Sequence, residues 1–150
     1  MESDSRLLPV GLLIKILNSG IEAQLNSAAS SLDLTGTQTR ILHYLCRRRG
    51  ENITLQNLEQ AFGLNHATLS GIMSRLESKG FVTTETDADD RRRKFLRPTS
   101  KAFDCDAMMH EKIEYCEKIL LSGLTDEETE NVRALLYRMK ANIRMMSEEE

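Results

Sequence analysis

Thr54-Leu55-Gln56-Asn57-Leu58-Glu59-Gln60-Ala61-Phe62-Gly63-Leu64-Asn65-His66-Ala67-Thr68-Leu69-Ser70-Gly71-Ile72-Met73-Ser74-Arg75-Leu76 is the stretch on which the fold turns. Thr54 opens it as a helix cap, and Leu55, Leu58, Ala61 and Phe62 follow at helical spacing. Gly63 supplies a left-handed stop and Asn65 caps the next helix, whose Leu69, Ile72, Met73 and Leu76 form one apolar stripe. Two short helices across so tight a turn predict a helix-turn-helix. With that stripe buried, His66, Ala67, Thr68, Ser70, Gly71, Ser74 and Arg75 face outward. They are mostly small and hydrogen-bonding, the profile a helix needs to sink into a major groove roughly 12 Å wide and read base edges. An ordinary solvent face carries more Lys and Glu.

Working outward, the second helix stops near Gly80 and the composition switches to β-formers, Phe81-Val82-Thr83-Thr84-Glu85-Thr86. A polar tip follows at Asp87-Ala88-Asp89-Asp90-Arg91, and Arg92-Arg93-Lys94-Phe95-Leu96-Arg97 reads as the returning strand, closed by Pro98. A β-hairpin directly after a helix-turn-helix is a wing. Its cations, at 91–94 and 97, suit phosphates or a narrow minor groove, whose negative potential draws arginine. Asp90, Arg91, Arg92, Arg93 and Lys94 are its candidate contacts.

The flanks are helical. Ile14, Leu17, Ile21, Leu25 and Ala28 predict an amphipathic helix from about Leu8 to Ser31, with Pro9 in its first turn. The next helix opens after Leu34-Thr35-Gly36-Thr37, runs through Gln38, Ile41, Leu42 and Leu45, and stops at Arg47-Arg48-Arg49-Gly50. Ile53-Thr54 is a short β-prone pair. Thr99 reads as the cap of a long helix through Phe103, Met109, Ile113, Cys116 and Leu120 that ends at Gly123. Thr125-Asp126-Glu127-Glu128 is a capping box for a last helix carrying Val132, Leu135, Leu136, Met139 and Ile143, with Glu148-Glu149-Glu150 as a frayed tail. The fold class is therefore mainly α with a small β-hairpin wing: a winged helix-turn-helix head at 36–99 and a helical dimerisation region at 7–33 and 99–146. The flanking stripes are too long for a small head to cover.

Charge supports this division. Residues 40–101 carry twelve Lys/Arg against seven Asp/Glu, a balance of +5, within a chain of net charge −3, so the flanks sum to −8. The 150 residues, 40% hydrophobic and 29% charged, fit one ordinary globular domain and exclude a fibrous or disordered chain. No apolar run reaches membrane-spanning length, and Met1-Glu2-Ser3-Asp4-Ser5-Arg6 has the wrong charge for a secretory signal, so a cytoplasmic protein is expected.

Catalytic classes find no motif. His43, His66 and His110 lie on separate helices without metal-ligand spacing, and no Gly-rich phosphate loop or nucleophile elbow occurs. His43 and His110 read as satisfied or exposed helix residues. Cys46, Cys105 and Cys116 are an odd, unpaired set, read as buried or half-buried thiols. No enzyme activity, cofactor or metal is expected.

These residues resemble the MarR family of winged-helix transcription regulators. Leu34-Thr35-x-x-Gln38-x-x-x-Leu42 looks like its second-helix opening, and Leu58 to Leu64 with Ala67-Thr68-Leu69-Ser70 like its helix-turn-helix. Leu76-Glu77-Ser78-Lys79-Gly80-Phe81-Val82 is similar to its exit from the recognition helix, and Asp90-x-Arg92 followed by Thr99 to its wing signature. The chain departs from the pattern at Gly71, Glu85, Pro98 and Ala102, where the family commonly has Arg, a basic residue, Leu and Gly. The resemblance implies a homodimer whose flanking helices interlock, with two heads reading half-sites of a palindromic operator. It also implies a repressor released by a small-molecule effector, often aromatic and anionic, bound between the dimer helices and each head. Two other readings stand beside it: a winged-helix module that pairs with protein or RNA, and a regulator on the same scaffold that senses oxidants through Cys46, Cys105 or Cys116.

Overall fold

A computed structural model describes residues 8–146. The order is α1 (Val10–Ser31), α2 (Gly36–Arg47), α3 (Leu55–Phe62), α4 (His66–Ser78), β1 (Val82–Thr86), β2 (Lys94–Pro98), α5 (Ser100–Leu120) and α6 (Asp126–Met146). The expected fold class is the observed one: among the described residues there are six helices and one antiparallel hairpin. Residue 7 of the expected dimerisation region and the tail 148–150 lie outside the described residues. No helix among the described residues is long and apolar enough to cross a membrane.

The described residues form two compact units that divide inside α5, after Glu114. In the first, one core joins α1 through the start of α5: Ala29, Ile41, Leu42, Leu45, Leu58, Leu69, Leu76, Val82, Leu96 and Ala102 are buried in it. The N-terminal part of α1 contributes nothing to that core, and Val10, Leu12, Ile14, Ile16 and Leu17 stay exposed. In the second, Gly123 takes φ +85° at the turn. Thr125 and Glu128 then close the expected capping box, Glu128 N donating to Thr125 Oγ1 and Thr125 N to Glu128 Oε2. Along α6, Val132, Leu135, Leu136, Tyr137 and Ile143 are exposed.

Four expected boundaries move for identifiable reasons. Pro9 stands just outside α1 in an extended conformation (φ −56°, ψ 143°), instead of in its first turn. Helix α2 begins at Gly36, not after Thr37, because Thr35 and Gln38 form a capping box that leaves the 3% exposed Gln38 amide satisfied. Ile53 joins no strand; its carbonyl accepts one hydrogen bond from Leu96 N at 2.8 Å, tying the α2–α3 loop to β2. Thr99 directs its hydroxyl to the carbonyls of Gly80 (2.7 Å) and Phe81 (3.1 Å), so it pins α5 to the exit of α4, and α5 itself ends at Leu120.

A second tie joins the α1–α2 loop to the end of α4. Asp33, at φ +56°, meets Lys79 at 2.9 Å, and Lys101 donates to the Lys79 carbonyl at 2.7 Å. The hydrogen bond and charge of Lys79 hold the Asp33 carboxyl below its usual 3.8. A lowered folded pKa gives stability that is present above 3.8 and lost as acid titrates the folded group. Water screens this exposed pair, so the effect is small.

Candidate DNA-reading face and an adjoining cleft

The position of α4 follows from local chemistry on both sides of the turn. Thr54 and Asn57 cap α3 reciprocally, Thr54 N donating to Asn57 Oδ1 at 2.9 Å. Gly63 takes φ +63°, where a side chain would be strained, and Asn65 Oδ1 accepts from Thr68 N at 2.9 Å to start α4. Leu69, Met73 and Leu76 are buried and Ile72 is half-buried. His66, Ala67, Thr68, Gly71, Ser74 and Arg75 share the exposed surface of α4, and Ser70 is half-buried at its margin. The Nδ1 of His66 lies 2.7 Å from Glu59 Oε1 on α3.

Gly71 is informative because the free protein does not require it. A Cβ built there meets nothing within 4 Å, and its φ is an ordinary helical one. Glycine in a helix interior costs about 1 kcal/mol relative to alanine. The free fold gives no reason for glycine here, just as it gives none at Gly11 or Gly20 in α1. Gly71→Ala is expected to raise the unfolding free energy by about 0.5–1 kcal/mol in urea titration while weakening binding to a selected DNA site. A gain in both would show that nothing comes close at Gly71.

In the wing, Val82 pairs with Pro98 and Thr86 with Lys94. The returning strand begins at Lys94, two residues later than expected. Asp90 causes the delay: its Oδ1 accepts from Arg92 N at 3.0 Å and its carbonyl from Arg93 N at 2.9 Å, folding residues 90–93 into a turn. Arg91 and Arg92 thus lie in the tip itself. Among the described residues neither guanidinium has a side-chain partner, and Lys94 is likewise exposed. Arg93 is partly engaged, 3.9 Å from Asp87 and over the Phe95 ring at 5.7 Å.

Arg97 is not a free wing cation. It meets Glu85 Oε2 at 2.7 Å, the Glu51 carbonyl at 2.5 Å and Asn52 Oδ1 at 2.7 Å. It also lies over the Phe95 ring, at 5.4 Å. The residue braces the base of the hairpin against the α2–α3 loop. Leu96 enters the core while Phe95, also buried, sits under Arg93 and Arg97.

A cleft of about 880 Å³ opens beside the head, within the first unit. Helix α2 lines it with Arg40, His43, Tyr44 and Arg47, and α1 with Asn18, Ile21, Glu22 and Leu25. Phe62, Asp106, Met109 and His110 add to the wall. Tyr44 and Phe62 meet edge to face at 5.5 Å, Arg48 stacks 3.8 Å over Tyr44, and Arg40 lies 5.8 Å over Phe62. His43 Nδ1 is 2.8 Å from Asp106 Oδ1 on α5. Sequence reasoning read His43 as a satisfied or exposed helix residue, and the family resemblance implied a pocket between the dimer helices and each head without naming the residues that line it. The usable signal was the polar stripe Arg40, His43, Tyr44 and Arg47, at helical spacing opposite the buried face of α2.

Cys46 and Cys105 are buried and Cys116 is half-buried. Burial pushes the Cys46 thiol up to about 12, with the Asp106 charge and Cys105 adding to it, and burial also raises Cys105. Thiolate, the reactive form, is scarce at such positions. Both thiols are expected to resist dithionitrobenzoate in the native protein at pH 8 and to react on addition of denaturant. Rapid native labelling at Cys46 would reopen an oxidant-sensing role. Among the described residues no group of three or more His, Cys, Asp or Glu is arranged to hold a metal ion.

Residues 32–93 match a family model described as the MarR family. An uncharacterized HTH-type transcriptional regulator of Bacillus subtilis (strain 168), YybA, is 28% identical over 137 residues, 91% of this chain and 87% of that protein. The reduced form of MarR from E. coli is similar at 25% identity and a TM-score of 0.73, covering 89% of this chain and 97% of that one. S. aureus MepR, solved as a DNA complex, shares the fold at 23% identity and a TM-score of 0.74, over 89% of this chain and 98% of that one.

Proposed function

We propose that the chain, which matches the MarR family model over residues 32–93 and resembles YybA at 28% identity, is a transcription regulator of the MarR type that works as a homodimeric repressor on a palindromic operator, released when a small effector enters the cleft. One observation carries the DNA-facing part. A helix with His66, Ala67, Thr68, Gly71, Ser74 and Arg75 exposed is joined through one short exit to a hairpin whose Arg91, Arg92 and Lys94 are exposed cations. In this reading α4 enters the major groove, with Ser70 at its edge, and the wing tip meets phosphates or the minor groove. Asp90 shapes the tip and Arg93 contributes in part.

The exposed stripes of α1 and α6 support the dimer: Leu135, Leu136 and Ile143 would face water in a lone chain. Truncation before Thr125 is expected to abolish the dimer in light scattering or to cause aggregation. A soluble monomer that still held a selected DNA site tightly would sink the dimer. The cleft suits an aromatic anion, since Tyr44 and Phe62 offer ring faces and edges while Arg40, Arg47 and Arg48 supply positive charge. His43 and Asp106 bridge α2 and α5 across its wall, so an occupant that displaced either would be felt at both helices.

The direct test is fluorescence anisotropy on random duplex DNA across a salt series, followed by selection of bound sequences from a random pool. Salt-dependent binding and enrichment of an inverted repeat are expected, with half-sites about one helical turn apart. Absence of salt-dependent binding would favour a module that pairs with protein instead.

A further inference from the structure

We propose that Glu59 is a positioning residue for DNA reading: it fixes the His66 ring so that recognition runs through Nε2. This rests on the DNA-binding reading above. His66 is the first residue of α4, and its side chain is 73% exposed, yet one ring nitrogen is engaged. Nδ1 is held at 2.7 Å by Glu59 Oε1, from the helix packed on the other side of the turn. A carboxylate only accepts hydrogen bonds, so Nδ1 carries the hydrogen in that contact. Nε2 is then the one polar ring atom left for an incoming ligand. In the neutral ring it is an acceptor, matched to an exocyclic amino group of adenine or cytosine in the major groove. An unpinned imidazole would present either nitrogen in several rotamers, and ordering it on binding would oppose affinity.

A purely structural reading gives the pair a different job, a surface tie between α3 and α4 worth little because both groups are wet. The two accounts separate on base preference. The experiment selects bound duplexes from a random pool with the full-length protein and with Glu59→Ala, Glu59→Gln, His66→Ala, His66→Gln and His66→Asn, melting each variant alongside. The proposal expects the wild type to prefer one base per half-site at a position where His66→Ala and Glu59→Ala prefer none. On the selected duplex each single variant to alanine should lose affinity about five- to hundredfold, with little change on random duplex. The double variant should be no worse than either alone, because both remove one interaction. Glu59→Gln, whose amide oxygen still accepts from Nδ1, should retain the preference. His66→Gln places an amide near Nε2 and should retain part of it, whereas His66→Asn reaches only the Nδ1 position and should not. A wild type that enriches no sequence overturns the DNA-reading proposal itself. A wild type that enriches a site whose base preference survives Glu59→Ala, or losses that merely follow the melting temperature, overturns the positioning role alone.

Discussion

Leu76→Ala is expected to destabilise the protein by about 2–5 kcal/mol, the cost of a fully buried leucine whose site collapses only in part. Leu76 is 0% exposed, and its carbonyl accepts from Phe81 N at 2.9 Å as the chain leaves α4 for the wing. Its side chain sits in the core shared by α4, the hairpin and α5, with Val82, Leu96 and Ala102. A cavity there loosens the joint between α4 and the wing, so, on the proposed DNA-binding reading, affinity for DNA should fall even below the melting point. Urea unfolding at fixed protein concentration measures the loss, and a shift of roughly 4–20 °C in Tm should accompany it. Ile143→Ala makes the contrast. At 65% exposure in a single chain it should change stability by no more than about 0.5 kcal/mol if the chain is monomeric. In a dimer that covers α6 the cost grows and depends on protein concentration. A Leu76→Ala protein as stable as the parent would mean the core is not organised around the α4 exit.

The sequence made the helix-turn-helix legible because each local signal there is self-contained. Gly63 needs its positive φ wherever the chain goes, and Asn65 satisfies a backbone donor three residues on. The same holds for Thr125 and Glu128. What sequence could not supply were partners distant along the chain. Arg97 reads as one more wing cation until folding brings Glu51, Asn52 and Glu85 around it. Phe95 and Leu96 defeat a period-two reading because both faces of β2 are covered, one by the core and one by arginine side chains. His43 gains its partner Asp106 from a helix 63 positions later, and only then does the cleft acquire a wall. The strand start moved from Arg92 to Lys94 for a local reason that was readable. An aspartate two residues before a possible strand competes for its first amides.

Two substitutions should separate positioning from reading on the DNA. Arg92 sits in the wing tip with its backbone fixed by Asp90 and its guanidinium free of side-chain partners among the described residues. Removing it costs the free fold little, so any weakening reports on DNA. If the tip meets phosphate, Arg92→Ala should weaken selected and random duplexes alike. It should also flatten the slope of log affinity against log salt by about 0.9 for each phosphate no longer neutralised. If the guanidinium also enters a narrow minor groove, a preference for A·T-rich flanks should go with it. Thr68 is exposed on the first turn of α4, and Asn65 occupies its amide, which leaves its hydroxyl and methyl to face outward. Thr68→Ala should cost about 1–3 kcal/mol on the selected duplex, with little change on random DNA and an unaltered salt slope. Anisotropy titrations of the parent and both variants on both duplexes, at several salt concentrations, give the six affinities and the salt slopes required. An Arg92→Ala protein with unchanged random-DNA affinity and slope would remove the wing from the interface. Equal losses for Thr68→Ala on both duplexes would make α4 a backbone contact and leave the bases to be read elsewhere.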